Sequence, residues 1–458
     1  MDFETAAAKL KEIFSLDGVV RVVSHLDSDG ISSAAIIAKL LKQNDQQFWL
    51  STVKQLEDAN VEQIEKQVEK KHCKAVLFLD LGAGKIGKLA GLAKHTKVFV
   101  IDHHPFSEIV PESENLTVVH SLDLCAAALC YHLARSLGAG KEFAQLAVVG
   151  MIGDIQKISK SNISVLNDAE ESGMKIQKSL FFFSATRPLH KSLELSSDIY
   201  IPGVTGNAVG AMKMLREAGI ELKKSKSAKG GWRSLTDLDE DEVSRLITAI
   251  ALRLNDGNCK IVDNKYLIKL SERLWDGNEI STMLNACGRL GRSSLGISFL
   301  LGSKDAREEL DSVYSEYRHH LIKALNWVGS VKKIEGSSYL IVNAKNEIKE
   351  TMIGTVMSIL SRSYIYPAGT VLVGLAHRDD GKVKISARIA KSERGNESSS
   401  NTNVNLNLLL SSIVKNIGGE EAGGHTGAAG ALIPVEKEND FIDMLQRELS
   451  IEEIKIKV

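Results

Sequence analysis

The feature that most constrains this sequence is an apolar strand that runs directly into closely spaced acidic residues. Residues 19–23 read Val-Val-Arg-Val-Val, and His25, Asp27 and Asp29 then alternate up to Gly30. A helical pattern of small residues follows at once, which predicts a buried strand, a loop and a helix. Alternate residues of an extended segment point the same way, so one imidazole and two carboxylates are expected to converge outside the sheet. Open α/β sheets bind ligands at that edge.

Further segments repeat this arrangement along the chain. In each, an apolar run ends in acidic or imidazole side chains, which are Asp80, Asp102, His103, His104 and Asp154. Taken alone, an aspartate after a strand is an ordinary turn or helix-capping residue. Several strands that deliver such groups to one edge are not a core pattern. Oxygen and imidazole ligands without thiolates suit Mn²⁺ or Mg²⁺ better than structural zinc.

These segments, together with the glycine-rich residues 423–430, resemble the DHH phosphoesterase superfamily, which is named after the Asp-His-His at 102–104. The glycine stretch is similar to the signature of the C-terminal domain associated with that superfamily. The motifs span residues 25 to 430, nearly the whole chain. The length and the runs near 201–216 and 285–293 look most like archaeal RecJ-type single-strand exonucleases, some of which associate with GINS in the replisome.

The expected fold is α/β in three parts, because 458 residues are too many for one ordinary core. Residues 1–189 alternate strand and helix patterns and predict a parallel-sheet catalytic domain. Residues 190–333 predict a helical insertion that ends in a long connector helix. Residues 334–458 predict a smaller α/β domain, which the resemblance identifies as the DHH-associated substrate-binding domain.

The resemblance implies two divalent cations that share Asp80 as a bridging ligand. The first is held with His25 and Asp27, and the second by a set completed with Asp29, His103 and Asp154. Mn²⁺ is the expected metal, with Mg²⁺ as the alternative. The resemblance also places His104 beside the scissile phosphate, as general acid or phosphate ligand. Asp102 is expected to orient a neighbouring histidine.

The substrate-holding residues are expected in the C-terminal domain. The resemblance implies that they are Ser386, Arg388, Gly423, Gly424 and His425. Arginine forms a bidentate phosphate clamp, and glycines let backbone amides approach an anion. The alternative is a tight turn beside a solvated strand face. Arg289 and Arg292 are weaker candidates for a strand-binding surface.

Composition limits the cellular setting. The net charge of −1 gives no global signal for nucleic acid, although a local basic groove is compatible with it. The five cysteines form no CxxC pair, which favours buried free thiols in a reducing compartment. No signal peptide or membrane span is evident, so we expect a cytoplasmic protein without a membrane partner.

Three functions stay open at this point. The first is a metal-dependent exonuclease on single-stranded DNA or RNA, in replication or repair, with a GINS-containing helicase complex as a candidate partner. The second is a phosphodiesterase of small nucleotides or oligoribonucleotides. The third is a non-catalytic replisome scaffold, as in the eukaryotic relative of RecJ that has lost its metal ligands. The clustered acids favour an enzyme, because a scaffold has no physical reason to keep them.

Overall fold

The structure is a computed structural model, and its described residues form two compact units. Unit 1 comprises Met1–Lys178 and Asn264–Tyr317, and unit 2 comprises Ser179–Asp263 and Arg318–Val458. The described residues are 2–106, 108–156, 159–180, 184–196, 201–223, 231–254, 262–270, 273–363, 365–390, 404–419 and 421–457. The sequence also contains a basic run at 223–226, and an Asn- and Ser-rich stretch at 395–407 predicts a flexible loop. Residues 224–226 and 395–403 of these segments lie outside the described ranges.

The N-terminal part of unit 1 alternates strands and helices, as expected. In chain order its elements are α1 (Phe3–Phe14), β1 (Val19–His25), α2 (Ser28–Gln43), β2 (Phe48–Val53), α3 (Asp58–Lys71), β3 (Cys73–Leu79), α4 (Ile86–Leu92), β4 (Lys97–Asp102), β5 (Leu116–His120), α5 (Ala126–Ser136), α6 (Phe143–Gly153) and α7 (Ile163–Glu171). The strands form a parallel sheet in the order β2-β1-β3-β4-β5. This confirms the predicted fold class.

Both faces of this sheet are covered, which explains its continuous apolar strands. One face packs on α3 and α4, where Val23, Phe78 and Val100 share a core with Ile64 and other residues of those helices. The helix α2 is almost wholly buried and contacts both α5 and α6. The strand order reverses between β1 and β3, and the carboxyl ends of strands at such a point form the usual ligand-binding crevice.

The middle of the chain is helical, as expected, and it also contains strands that the sequence analysis did not predict. Its elements are β6 (Lys175–Leu180), α8 (Leu189–Glu194), α9 (Ala208–Glu217), α10 (Glu240–Leu254), β7 (Val262–Leu270), β8 (Arg273–Asp276), α11 (Gly277–Arg289), α12 (Ser293–Leu300) and α13 (Lys304–Ser330). The strands β6, β7 and β8 form a three-stranded sheet. The predicted connector helix is α13, which continues from unit 1 into unit 2.

The C-terminal part of unit 2 is the expected smaller α/β domain. Its elements are β9 (Ile334–Glu335), β10 (Tyr339–Asn343), α14 (Glu350–Arg362), β11 (Val371–His377), β12 (Lys382–Ile389), α15 (Leu406–Ile417), β13 (Glu421–His425), β14 (Ala428–Pro434) and α16 (Glu438–Lys457). The sheet order is β13-β14-β12-β11-β10-β9, with only β10 and β11 parallel. The core of this domain lies between the sheet and the helices α15 and α16.

Two expectations from composition bear on the described residues. Four of the five cysteines, Cys73, Cys125, Cys130 and Cys287, are free and buried, as predicted for thiols that serve as small apolar groups. Among the described residues, no helix is both long enough and apolar enough to cross a bilayer.

Candidate metal centre

The loop between β1 and α2 supplies the first group of side chains. His25 ends β1, and Asp27 caps α2 by accepting a hydrogen bond from the Gly30 amide at 3.0 Å. His25 Nδ1 lies 3.1 Å from Asp27 Oδ2, while its Nε2 lies 3.1 Å from the carbonyl oxygen of Lys54. A carbonyl oxygen accepts only, so Nε2 carries a proton. The Nδ1 atom, which faces the carboxylates, is therefore the nitrogen that could bind a cation.

Asp80 lies between two imidazoles directly after β3. Its Oδ2 is 3.2 Å from His25 Nδ1, and its Oδ1 is 3.4 Å from His103 Nε2. The residue is only 2 % exposed and has a φ of 58°, in the left-handed region. That conformation costs energy in a residue other than glycine, and such strain is concentrated at functional sites. The backbone is fixed there by the Asp80 amide, which donates to Ile101 O at 2.9 Å.

A second group forms around His103. Its Nε2 lies 3.1 Å from Asp154 Oδ2 and 4.0 Å from Asp29 Oδ2. Asp29 is 1 % exposed, and its carboxylate accepts the amides of Ala126 and Ala127 at 2.8 and 2.9 Å. These amides open α5, where the helix N-terminus favours negative charge. The first turn of α5 therefore fixes the orientation of Asp29.

The two groups fit a pair of hard divalent cations. The donor atoms of His25, Asp27 and Asp80 lie within 4.8 Å of one another, and so do those of Asp29, His103 and Asp154. Within the described residues, Asp80 Oδ1 and His103 Nε2 are buried without a hydrogen-bond partner. Buried polar atoms without partners are rare, and a bound cation would satisfy both of these atoms. The oxygen and nitrogen donors are of the type that Mn²⁺ or Mg²⁺ prefers.

Asp102 and His104 form a separate hydrogen-bonded pair beside these groups. His104 Nδ1 lies 2.7 Å from Asp102 Oδ1, and the side chain of His104 is 54 % exposed. The buried Asp102 carboxylate also accepts the amides of Ala83, His103 and His104. Its oxygens are thus engaged by protein donors, which agrees with an orienting role and leaves the His104 ring facing outward.

The pKa values of the cluster show how strongly its charges interact. Burial and then repulsion from Asp80 and Asp154 hold the pKa of Asp29 well above its usual range. Burial is also the main cause that raises the pKa of Asp154 to about 6. Burial opposes protonation of His103, but the adjacent carboxylates of Asp80, Asp154 and Asp29 outweigh it and raise its pKa to about 9. The cluster thus retains protons that offset its negative charge.

His104 differs from His103 in the origin of its shift. The hydrogen bond to Asp102 is the largest cause, and it raises the pKa of His104 to about 9 against the opposing effect of burial. In return, the hydrogen bonds and charge of His104 lower the pKa of Asp102, although burial opposes this. The pair is therefore an imidazolium and a carboxylate at neutral pH.

The expected substrate-holding residues of unit 2 come together on one sheet. Arg388 of β12 pairs with Ala428 of β14, which pairs with His425 of β13. In the same way Ser386, Gly430 and Gly423 form the neighbouring row. Directly paired residues of antiparallel strands present their side chains to the same face. Arg388, Ser386 and His425 therefore share one face of the sheet.

The glycine stretch differs from the expected cluster of converging amides. It forms the hairpin of β13 and β14, in which Gly423 and Gly424 pair with Gly430 and Ala429. Gly424 has a φ of 140°, and a β-carbon there would lie 2.5 Å from Ala428 O. Glycine is thus required for a close strand approach. Because β13 is the edge strand of this sheet, its pairing with β14 uses only the backbone groups that face β14.

Arg388 is held by neutral acceptors. Its Nε donates to Ser358 Oγ at 2.9 Å, and its Nη1 donates to Ala387 O at 2.8 Å. Burial and then the charge of Arg362 lower the pKa of Arg388. Among the described residues no carboxylate pairs with it. A half-buried cation that has no carboxylate partner within the described part of the chain is a suitable partner for an anionic ligand.

Arg289 and Arg292 lie in unit 1. Arg289 is the last residue of α11, and Arg292 immediately precedes α12. Arg289 Nη1 donates to Tyr317 Oη at 2.7 Å, and Arg292 lies 3.9 Å from the Glu316 carboxylate. Within the described residues Arg289 thus uses one of its donors, whereas Arg292 has an acidic neighbour. The sequence did not predict the partners of His25 and Asp29, which are Lys54, Ala126 and Ala127, or the bond between Asn285 and the Ser28 amide. Only the small residues that open α5 gave a signal for them.

Comparisons with known proteins find similarity to family models, to one relative and to solved structures. Family models match in three stretches, the N-terminal domain of the DHH family over residues 19–151, the DHH-CID domain over 181–261 and the DHHA1 domain over 336–450. An uncharacterized protein of Methanocaldococcus jannaschii is 29% identical over 461 residues, which cover 96% of each chain.

Solved structures share the fold at low sequence identity. CDC45 from Entamoeba histolytica matches with a TM-score of 0.64 and 11% identity, over 97% of this chain and 98% of that one. RecJ from Thermus thermophilus in complex with Mn²⁺ matches with a TM-score of 0.58 and 18% identity, over 98% of this chain and 54% of that one. An exonuclease RecJ bound to manganese gives 0.57 and 16% identity, over 98% and 94%.

Proposed function

Because this chain belongs to the DHH superfamily, with DHH, DHH-CID and DHHA1 domains in that order, we propose that it is a two-metal-dependent phosphodiesterase. We propose further that it acts as a RecJ-like exonuclease on single-stranded DNA or RNA, in replication or repair. The observation that carries the proposal is the pair of buried atoms without partners, Asp80 Oδ1 and His103 Nε2, between two sets of metal-type donors.

The proposed ligand sets share one carboxylate. His25, Asp27 and Asp80 would hold one cation, and Asp29, Asp80, His103 and Asp154 would hold the other, with Asp80 as the bridge. Mn²⁺ is the proposed metal and Mg²⁺ the alternative. When bound, such a pair supplies an activated hydroxide and charge that stabilises the phosphate and the leaving oxygen. The first amides of α5 orient the Asp29 carboxylate by donating to it. The Lys54 carbonyl oxygen orients the His25 ring by accepting from Nε2.

His104 is the proposed proton donor or phosphate ligand. Its pKa of about 9 keeps the ring protonated at neutral pH, so it can donate to a phosphoryl or leaving oxygen. Asp102 accepts from Nδ1 and thereby directs Nε2 outward. This division of roles follows from burial, since Asp102 is enclosed whereas His104 is half exposed.

The proposed strand grip lies on the sheet face of unit 2 that carries Ser386, Arg388 and His425. Arg388 has no described carboxylate partner, and the β13–β14 hairpin places the exposed His425 in its row. A guanidinium and an imidazole on one face suit phosphates that are not cleaved. Gly423 and Gly424 contribute by leaving this strand edge free of side chains. Arg289, whose guanidinium makes one hydrogen bond within the described residues, is a second proposed contact.

Two alternatives make different demands on the same residues. A non-catalytic scaffold is favoured by the full-length match to CDC45, whose TM-score exceeds that of either RecJ. A scaffold role gives no reason to cluster Asp29, Asp80 and Asp154. Burial and the neighbouring carboxylates raise the pKa values of Asp29 and Asp154. A small-nucleotide phosphodiesterase would use the metal centre equally but would make less use of Arg388.

Digestion of end-labelled DNA and RNA strands of several lengths with Mn²⁺ tests the proposal. We expect single nucleotides to be released from long single strands, and no cleavage with EDTA. If single nucleotides are released from dinucleotides but not from long strands, the proposal is wrong and the small-nucleotide alternative holds. Intact strands at every length, although the protein binds Mn²⁺, would replace it by the scaffold.

A further inference from the structure

The backbone on either side of Asp27 lies against α11, a helix that is far away in sequence but belongs to the same unit. A β-carbon at Gly288 would collide with the carbonyl oxygen of Leu26. One turn earlier, Asn285 Oδ1 accepts a hydrogen bond from the Ser28 amide at 2.9 Å. Residues three apart on a helix share a face. The helix therefore contacts the loop at Leu26 and at Ser28, which flank Asp27.

The Ser28 amide is one of the donors that the start of α2 leaves without an intrahelical partner. Asp27 satisfies the Gly30 amide in that turn, and Asn285 satisfies the amide of Ser28. These two bonds have different consequences. The first uses one carboxylate oxygen of Asp27 itself, whereas the second fixes the backbone next to Asp27 without using any metal-type donor.

The same face of α11 also meets the end of α6, which carries Asp154. A β-carbon at Gly153 would lie 2.6 Å from Ser28 Cβ and 3.2 Å from Ser281 Oγ. Ser281 precedes Asn285 by four residues, so both lie on one face of α11. The helix thus contacts the two segments that provide Asp27 and Asp154, members of the two donor groups.

We propose that Asn285 is a positioning residue of the metal centre, which holds the His25–Asp29 loop through the Ser28 amide in the geometry that both cations require. Gly288 assists by letting the loop backbone lie directly on α11. The inference rests on the proposed function, because it assumes that the cluster binds divalent cations. It assigns to α11 a task that differs from strand binding by Arg289 at its end.

Asn285→Ala tests the inference without measuring catalysis. Partners outside the ligand set typically change metal affinity by tens of fold, so we expect Mn²⁺ to bind about 10-fold more weakly. Binding is followed by the electron paramagnetic resonance signal of free Mn²⁺. Amide hydrogen exchange of the metal-free variant should show faster exchange at Ser28. Wild-type affinity in a folded Asn285→Ala protein would overturn the inference.

Two further variants separate positioning from general damage to the helix. Thr282→Ala removes a half-buried hydroxyl whose one hydrogen bond within the described residues is to Asn278 O of the same helix, and it should leave Mn²⁺ affinity unchanged. Asn285→Asp keeps an acceptor for the Ser28 amide and should bind Mn²⁺ at least as tightly as wild type. A 10-fold loss in either variant would overturn the inference.

Mn²⁺ binding by the wild-type protein separates failure of the proposed function from failure of the positioning inference. If it binds no Mn²⁺, the proposed function fails and the positioning inference fails with it. If wild type binds Mn²⁺ and Asn285→Ala binds it equally well, only the positioning inference fails.

Discussion

Asp80 Oδ1 lies 3.4 Å from His103 Nε2, and both atoms are buried without a hydrogen-bond partner within the described residues. The two residues follow neighbouring strands, β3 and β4, at the carboxyl edge of the sheet. The distance is longer than a good hydrogen bond. A cation held by both atoms would satisfy each of them, and this relationship is the centre of the functional account.

The metal-free protein should become less stable as pH rises from about 6.5 to 9. The folded-state pKa values of His103 and His104 are about 9, above the ordinary 6.5. Their stabilising contribution is therefore complete below pH 6.5 and is lost as pH rises through 9. Thermal unfolding in EDTA should show a falling Tm over this window, and the fall should be smaller in His103→Gln. A rising Tm would contradict the charge assignment.

Binding of Mn²⁺ at neutral pH should release protons from the cluster. A divalent cation replaces the protons that now offset the charge of the carboxylates and His103. Calorimetric titrations in buffers of different ionisation enthalpy measure this release. An apparent binding enthalpy that is the same in all buffers would show that the imidazole is already neutral, against the shift to about 9.

Asp102→Asn should lower kcat by about 100-fold and change its pH dependence. The hydrogen bond to Asp102 is the main cause of the raised pKa of His104, so loss of the carboxylate charge lowers that pKa. Since the protonated ring is the active form, the alkaline fall in kcat should move from near pH 9 to lower pH. His104→Ala should lack this limb. An unmoved alkaline limb in Asp102→Asn would assign it to another group.

Arg388→Ala should raise KM on long strands more than it lowers kcat. The contact holds a phosphate in the ground and transition states alike, so its loss removes uniform binding. The salt dependence of strand binding should also flatten by about one unit of slope. Arg378→Ala is the matched control, because Arg378 pairs with Asp380 in the same unit. Unchanged affinity and slope in Arg388→Ala would place it outside the strand-binding surface.

The sequence was most informative about the sheet and the acidic edge. Short apolar runs ending at His25, Asp80 and Asp102 predicted the parallel strands, since strands buried on both faces are continuously apolar. The grouping of Asp80 with two imidazoles came from the family resemblance, because contacts across strands depend on strand order. The strand order β2-β1-β3 is not encoded in local periodicity.

Other features depend on tertiary contacts that leave little trace in one sequence. The bond between Asn285 and Ser28 joins residues 257 positions apart, and an asparagine in an amphipathic helix resembles any polar surface residue. The hairpin at 423–430 was not predicted as a strand pair, because glycines suit an anion-binding loop and a close strand pair equally well. The alternating positions of His25, Asp27 and Asp29 in the sequence gave no sign that the Asp29 carboxylate accepts the first amides of α5.

Comparing kcat of wild type, Asp80→Asn and Asp168→Asn on a labelled single strand with Mn²⁺ tests the central claim most directly. Asp168 is a carboxylate of the same unit that bonds to Tyr131 and Lys141 instead of the cluster. We predict that Asp80→Asn folds normally but loses about a thousandfold or more in kcat, because a bridging carboxylate supports both cations. Asp168→Asn should stay near wild type. If Asp80→Asn keeps more than about a tenth of wild-type kcat, against the several kcal/mol expected from metal assistance, the two-metal account is wrong.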